Sequence, residues 1–440
     1  HVGPARVQPS IRDHCDGSYE ISAALADPGL YQWQLRLRWT RNEGLDERLD
    51  PRFGDSVRRA KAVWLQTNWT VTVLEDDMPK QRRKNRSACE EDASTYDVPS
   101  RFVGVRRKRG GVGSLYKSMA VRHPDEIFGL ADPDETWVDK WRPQLDSDDR
   151  CADTTTPTLR RSRLAGMTVA FVGDSTVRVM FANFVRLALG VRIASCLGRH
   201  SKANLHPCMC HGVMAVTVPA AGEARVDQLQ CQLEPETTRL SIEDVLGSAP
   251  KRNETRLVYA FASFADCASV VKHQPELRER CEHGSGTVAS MMRTLEAVLP
   301  VSDLLVANVG EHVTARGGVP ACVAATRHWL PTLAGLSPLV KNGARFLVDS
   351  QPTPFSATER LGTDEKGGIG VRHGNNARTQ ACNGLQRRLV AESANWTWVA
   401  GRYDAALLAP EWHESGVHYV ASPVVFTLRR AIADALEDRR

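Results

Sequence analysis

The chain of 440 residues has no long uninterrupted apolar run. Its most apolar region, residues 167–194, is broken by Asp174, Arg178 and Arg186, which excludes that region as a membrane span of about 20 apolar residues. An anchor in a longer precursor stays open. No leader-like stretch is visible either, and a start at His1 suits a processed mature form. There is no excess of one charge: 57 Lys and Arg against 52 Asp and Glu leave a net +5, too mild a bias to point to nucleic acid. The phosphate-binding triplet Gly-Lys-Ser is missing as well. "GGVGSLYKS" comes nearest, but Tyr116 precedes Lys117, so that motif is excluded. Finally, the chain lacks a zinc knuckle. Its only close cysteine pair, Cys208-Met209-Cys210, has a one-residue spacer, tighter than tetrahedral zinc sites use. His206 and His211 flank that pair and keep a metal site as the lesser reading.

What the chain does have is ordinary for a folded protein. Hydrophobic residues make up 42% and charged residues 25%, and the length allows two or three domains around a large core. Eleven cysteines are scattered along it, and disulfides in an oxidising compartment are their expected use. The odd count leaves one thiol free or bonded to another chain. Sequons at Asn68, Asn85, Asn253 and Asn395 point to the same compartment. The expected location is the secretory pathway: Golgi lumen, secreted or cell surface.

Residues 1–100 read as a small β-sandwich. "GSYEISAALADPGLYQWQLRLRW" alternates apolar and polar residues in two runs joined by Asp27-Pro28-Gly29, a hairpin-type turn, and "KAVWLQTNWTVTVLE" supplies two more short runs. The pattern G-x-Y-x-h followed by P-G-x-Y-x-h-x-L resembles filamin-type immunoglobulin-like domains. Residues 101–160 read as a linker and lead-in. The basic stretches "PKQRRKNRSACEEDAS" and "VRRKRGGVGS" are taken as solvated loops, with acidic polysaccharide as the competing partner.

From 161 to 440, apolar strands and amphipathic helices alternate. Strand runs start at Thr168, Arg256, Ser302, Ala344 and Trp396; helical runs cover 177–189, 288–299, 321–336 (broken near Pro331), 379–393 and 422–439. This alternation predicts an α/β domain, a parallel sheet with helices on both faces. Sites in such sheets lie at the carboxyl ends of the strands. Ser175, Asn308, Asp349 and the loop after Tyr403 fall there.

Three stretches carry chemistry. In "TVAFVGDSTVR", Gly173 allows a tight turn and Ser175 opens a helix, whose backbone N–H groups favour a developing oxyanion. A packing role for Gly, Asp and Ser at a strand–helix junction competes with this. In "SDLLVANVGEHV", Asn308 ends a strand and its amide suits an oxyanion, with Gly310 turning the backbone and His312 beside it; Asn308 as a plain turn former is the alternative. In "APEWHESGVHYVASPVV", His413 and His418 are candidate bases.

Gly173-Asp174-Ser175 with Arg178, the middle Asn-x-Gly-x-His and the late Gly-x-His-Tyr resemble the PC-esterase branch of the SGNH/GDSL hydrolases. That branch includes trichome-birefringence-like O-acetyltransferases and neurexophilin-and-PC-esterase-domain proteins. "WRPQLDSDDRC" at 141–151 is similar to that family's W-x-P…C lead-in, and a filamin-like domain ahead of the esterase domain is similar to the neurexophilin-type members. The resemblance covers roughly residues 135–440. It implies an SGNH-type three-layer sheet and acyl transfer with no metal or cofactor: Ser175 as nucleophile, His418 as base, and an oxyanion hole from Gly173, Asn308 and Gly310. Ser415 stands where the family's Asp-x-x-His has Asp, so either Asp404, Glu411 or Glu414 orients the imidazole or the dyad lacks a third member, with His413 as the other candidate base.

Two functions therefore stand at this point. One is a glycan O-acetyltransferase or acetylesterase, with a polysaccharide substrate and, for transfer, an acetyl donor. The other is a catalytically inactive SGNH-like component that binds glycan or a disulfide-linked or structural protein partner.

Overall fold

The run Thr168–Gly173 forms a strand in which all six residues are buried. An apolar run without alternation is what a strand covered on both faces requires. The structure, a computed structural model, describes residues 5–7, 10–14, 18–22, 29–37, 63–73, 95–96, 101–104, 141–144, 159–193, 212–222, 225–226, 230–232, 241–264, 288–341, 344–351, 376–400 and 424–437.

Among the described residues, the largest sheet has eight strands. They are β1 (Thr95–Tyr96), β2 (Thr168–Gly173), β3 (Val213–Pro219), β4 (Gln230–Gln232), β5 (Glu254–Phe261), β6 (Leu304–Ala307), β7 (Arg345–Val348) and β8 (Thr397–Val399). Their spatial order is β4-β3-β5-β2-β6-β7-β8-β1. From β5 to β1 all neighbours are parallel. β3 and β4 extend the β5 edge antiparallel. Counting β2, β5, β6, β7 and β8 as first to fifth, the order is 2-1-3-4-5. That is a doubly wound sheet whose winding reverses between β2 and β6.

Among the described residues, six α-helices flank it: α1 (Ser175–Asn183), α2 (Ile242–Leu246), α3 (Val288–Val298), α4 (Glu311–Leu336), α5 (Asn376–Ala391) and α6 (Val424–Glu437). α1 widens into a π-turn over Phe184–Ala188. α1 packs on α6, whereas α2, α3, α4 and α5 pack successively on one another. Right-handed crossovers on either side of the reversal place these two groups on opposite faces. The core joins β2, β6 and β7 to Phe181, Phe184, Leu295, Leu333, Leu428 and Ile432. Among the described residues, no helix is long and apolar enough to cross a membrane. The expected α/β architecture is thus present, with a mixed, mostly parallel sheet in place of the wholly parallel one.

Three elements differ from expectation. α4 begins ten residues before Ala321 and runs through both Pro320 and Pro331. Gly317, Gly318 and Pro320 hide its first half, because all three are poor helix formers. Burial of Trp329, Leu330 and Leu333 holds the chain helical around Pro331. Asp27-Pro28-Gly29 does not join two strands that pair with each other. Tyr19–Ser22 pairs with Ser10–Asp13, and Gly29–Leu37 pairs with the single long strand Val63–Val73. The first run thus pairs with the segment before it, and the second with a strand 25 residues farther along the chain. Finally, hydrogen bonding crosses the boundary at residue 100 in both directions. Thr95–Tyr96 joins the large sheet beside β8, and Trp141–Gln144 joins Arg101–Gly104, which pairs with Ala5–Val7.

Candidate active site

Ser175 is the only partly exposed residue between Thr168 and Val185; every other residue of that stretch is buried. It occupies the first position of α1, directly after the helix cap Asp174. The cap carboxylate accepts from the Thr176 backbone N–H at 2.8 Å and from the Thr176 hydroxyl at 2.6 Å. That satisfies one of the donors a helix start leaves over. The Asp174 side chain is thereby turned inward, and Ser175 faces the carboxyl edge of the sheet.

Gly173 and Asn308 meet across the reversal. Ala307 pairs with Val172, and the Asn308 backbone N–H donates to the Val172 carbonyl at 3.1 Å. A Cβ on Gly173 would run into Val177 and come within 3.2 Å of the Asn308 carbonyl oxygen. Glycine is needed here for close approach, not for a turn alone.

Asn308 is buried and bound within the fold. Its amide nitrogen donates to the Val348 carbonyl at 2.8 Å and to Ser350 Oγ at 3.2 Å, and its Oδ1 accepts from the Gly310 N–H at 3.3 Å. Service to an oxyanion requires the amide to exchange its Ser350 contact for the substrate. Gly310 is needed for the same reason as Gly173: a Cβ there would lie 2.5 Å from Ser350 Oγ and 3.3 Å from Cys382 Sγ. Ser350 is in turn held by Asn383, which accepts from its N–H and donates to its carbonyl, both at 2.9 Å. Cys382 is bonded to Cys322, linking α4 to α5; it is the one disulfide among the described residues.

Beneath Ser175 lies a buried polar group that the sequence reading missed. Tyr259 on β5 donates its hydroxyl to the Asp174 carbonyl at 2.9 Å, with the Gly173 carbonyl at 3.2 Å. Burial pushes the phenol pKa well above its usual range; nearby Arg178 opposes that shift and Asp174 adds to it. The hydroxyl therefore remains a proton donor. Arg178, one turn along α1 from Asp174, is itself 2% exposed. A tyrosine in a fully buried strand needs a partner for its hydroxyl, and that was the available signal in "RLVYAF". Ser350 carried one too: Asp349-Ser350 repeats at the end of β7 the Asp174-Ser175 pair at the end of β2, although Ser350 is fully buried.

The remaining sequence-derived candidates divide simply. His312 is on the first turn of α4. Asn253 and Asn395 sit exposed in turns, and Asn68 lies within the strand Val63–Val73. Asn85, Asp404, Glu411, His413, Glu414, Ser415 and His418 lie outside the described residues, as do Cys208, Cys210, His206 and His211.

No protein-family model, curated protein or solved structure matches the chain.

Proposed function

We propose that the chain is a serine-dependent acyl-transfer enzyme of the SGNH/PC-esterase kind, acting on O-acetylated glycans, preceded by an immunoglobulin-like β domain. The observation that carries this reading is the exposure of Ser175 alone, at a helix start, on the lip where the sheet's winding reverses. That is where doubly wound sheets bind ligands. In the reaction, Ser175 Oγ attacks the acetyl carbonyl carbon while His418 takes the hydroxyl proton. The Ser175 backbone N–H and the released Asn308 amide receive the oxyanion. Collapse breaks the ester bond, and the departing sugar oxygen takes the proton from His418. Water or a second sugar hydroxyl then attacks the acetyl-enzyme by the same steps in reverse, giving esterase or transferase activity. The acidic partner of the imidazole comes from Asp404, Glu411 or Glu414, and the site lies in the secretory pathway.

The second reading, a non-catalytic glycan- or protein-binding relative, is favoured by two observations. Ser415 replaces the family's acid, and the Asn308 amide is already bound to Val348 and Ser350. The experiment is hydrolysis of p-nitrophenyl acetate by the purified protein, with Ser175→Ala and His418→Ala beside it and an organophosphonate as covalent probe. Turnover and labelling that vanish in Ser175→Ala, with turnover lost in His418→Ala, are expected. If only Ser175→Ala is inactive, the base is His413. An inert, unlabelled wild type leaves the binding reading in place.

A further inference from the structure

We propose that Tyr259 is a positioning residue that aims the oxyanion-binding N–H of Ser175 by holding the opposite end of the same peptide group. This rests on the serine acyl-transfer reading and adds a residue to it. The Asp174 carbonyl, which accepts from Tyr259 Oη at 2.9 Å, and the Ser175 N–H belong to one planar unit. In a trans peptide, C=O and N–H point in opposite directions, and there is no cis peptide among the described residues. Fixing the carbonyl therefore also fixes the direction of the Ser175 N–H on the other side of the same peptide plane.

The carbonyl is held from three sides. It accepts from the Val177 and Arg178 N–H groups at 3.1 and 3.2 Å, as the first helical bonds, and from Tyr259 at the shortest distance of the three. The two helical bonds move with α1. Tyr259 alone comes from the sheet: it pairs with Phe171 on the neighbouring strand, and its ring packs near Phe181. It thus ties the nucleophile turn to the rigid β5–β2 ladder. A hydrogen bond to an amide carbonyl also polarises that amide, which strengthens its N–H as a donor.

The test is Tyr259→Phe, which keeps the ring and removes only the hydroxyl. Two readouts are needed. The first is the amide signal of Ser175 in protein labelled with carbonyl-¹³C Asp and ¹⁵N Ser. Asp-Ser occurs only at 55–56, 146–147, 174–175 and 349–350, and loss of a signal in Ser175→Ala assigns the right one. The second is the rate of p-nitrophenyl acetate turnover. We expect the Ser175 signal to shift and its N–H to exchange faster while the Ser350 signal stays in place. We expect kcat to fall about tenfold or more at unchanged KM, because an oxyanion donor acts in the transition state.

An unmoved Ser175 signal overturns the proposal. So does a moved signal with wild-type kcat in an active enzyme. If the signal moves and the wild type shows no serine-dependent turnover, Tyr259 still positions the peptide group, and the acyl-transfer reading is the part that falls.

Discussion

At the scale of single residues, close approach explains Gly173 more directly than backbone freedom does. Val177 and the Asn308 carbonyl occupy the space a Cβ would take. Because Val177 is on the first turn of α1, relieving the clash in Gly173→Ala means shifting the helix start and Ser175 with it. Overpacking of this kind costs about 1–3 kcal/mol. The expected result is a lower urea midpoint together with slower organophosphonate labelling of Ser175. Gly335→Ala is the matched control: nothing lies within 4 Å of its added methyl group. It sits in the last turn of α4, one residue before its end, where alanine gains at most the roughly 0.5–1 kcal/mol it is worth over glycine in mid-helix, so its midpoint should not fall. Equal midpoints for Gly173→Ala and wild type would disprove the tight contact. The Gly-Asp-Ser turn was readable in the sequence because strand, glycine, cap and helix are local signals. The need of Tyr259 for a partner was readable too, but not which partner, since that lies 85 residues away.

At the scale of elements, α4 and α5 are joined by Cys322–Cys382, closing a separation of 60 residues. Cross-linking that length removes chain entropy worth roughly 4 kcal/mol in the loop-closure model, with typical measured values of about 2–4. Cys322→Ala with Cys382→Ala should therefore lower unfolding stability by about 3 kcal/mol, read by urea denaturation. Wild type treated with reductant should converge on the double variant. Matching curves for oxidised wild type and variant would mean that packing alone holds the two helices. Gln386, which donates to Thr326 Oγ1 at 3.0 Å, is that packing's buried polar link.

Sequence periodicity located β5 and α3 within about three residues, because buried runs and amphipathic stripes are properties of a short window. It could not pair Cys322 with Cys382, since spacing does not determine which cysteines meet. It also failed over the first half of α4. There Gly317, Gly318 and Pro320 favour a break by propensity, and tertiary packing overrides them.

At the scale of the whole molecule, the sheet has two edges that carry different groups. Alternation of strands and helices indicates a parallel sheet but leaves strand order open, so the reversal between β2 and β6 became visible only in the fold. That order puts Ser175 and Asn308 on the carboxyl edge. Asn253 directly precedes β5, and Asn395 lies two residues before β8. Because β5 and β8 run parallel to β2, both sequons fall on the amino edge. A strand of six residues at about 3.3 Å each separates the edges by on the order of 20 Å. N-linked glycans at these two exposed turns would shield the amino edge and leave the edge that carries Ser175 open. Protein made through a secretory host should lose electrophoretic mass on enzymatic deglycosylation, and Asn253→Gln and Asn395→Gln should each remove one step of it. Neither substitution should change the rate at which the organophosphonate labels Ser175. A mobility unchanged by both substitutions would rule out glycans at these turns, and a labelling rate that follows glycan loss would rule out separate edges.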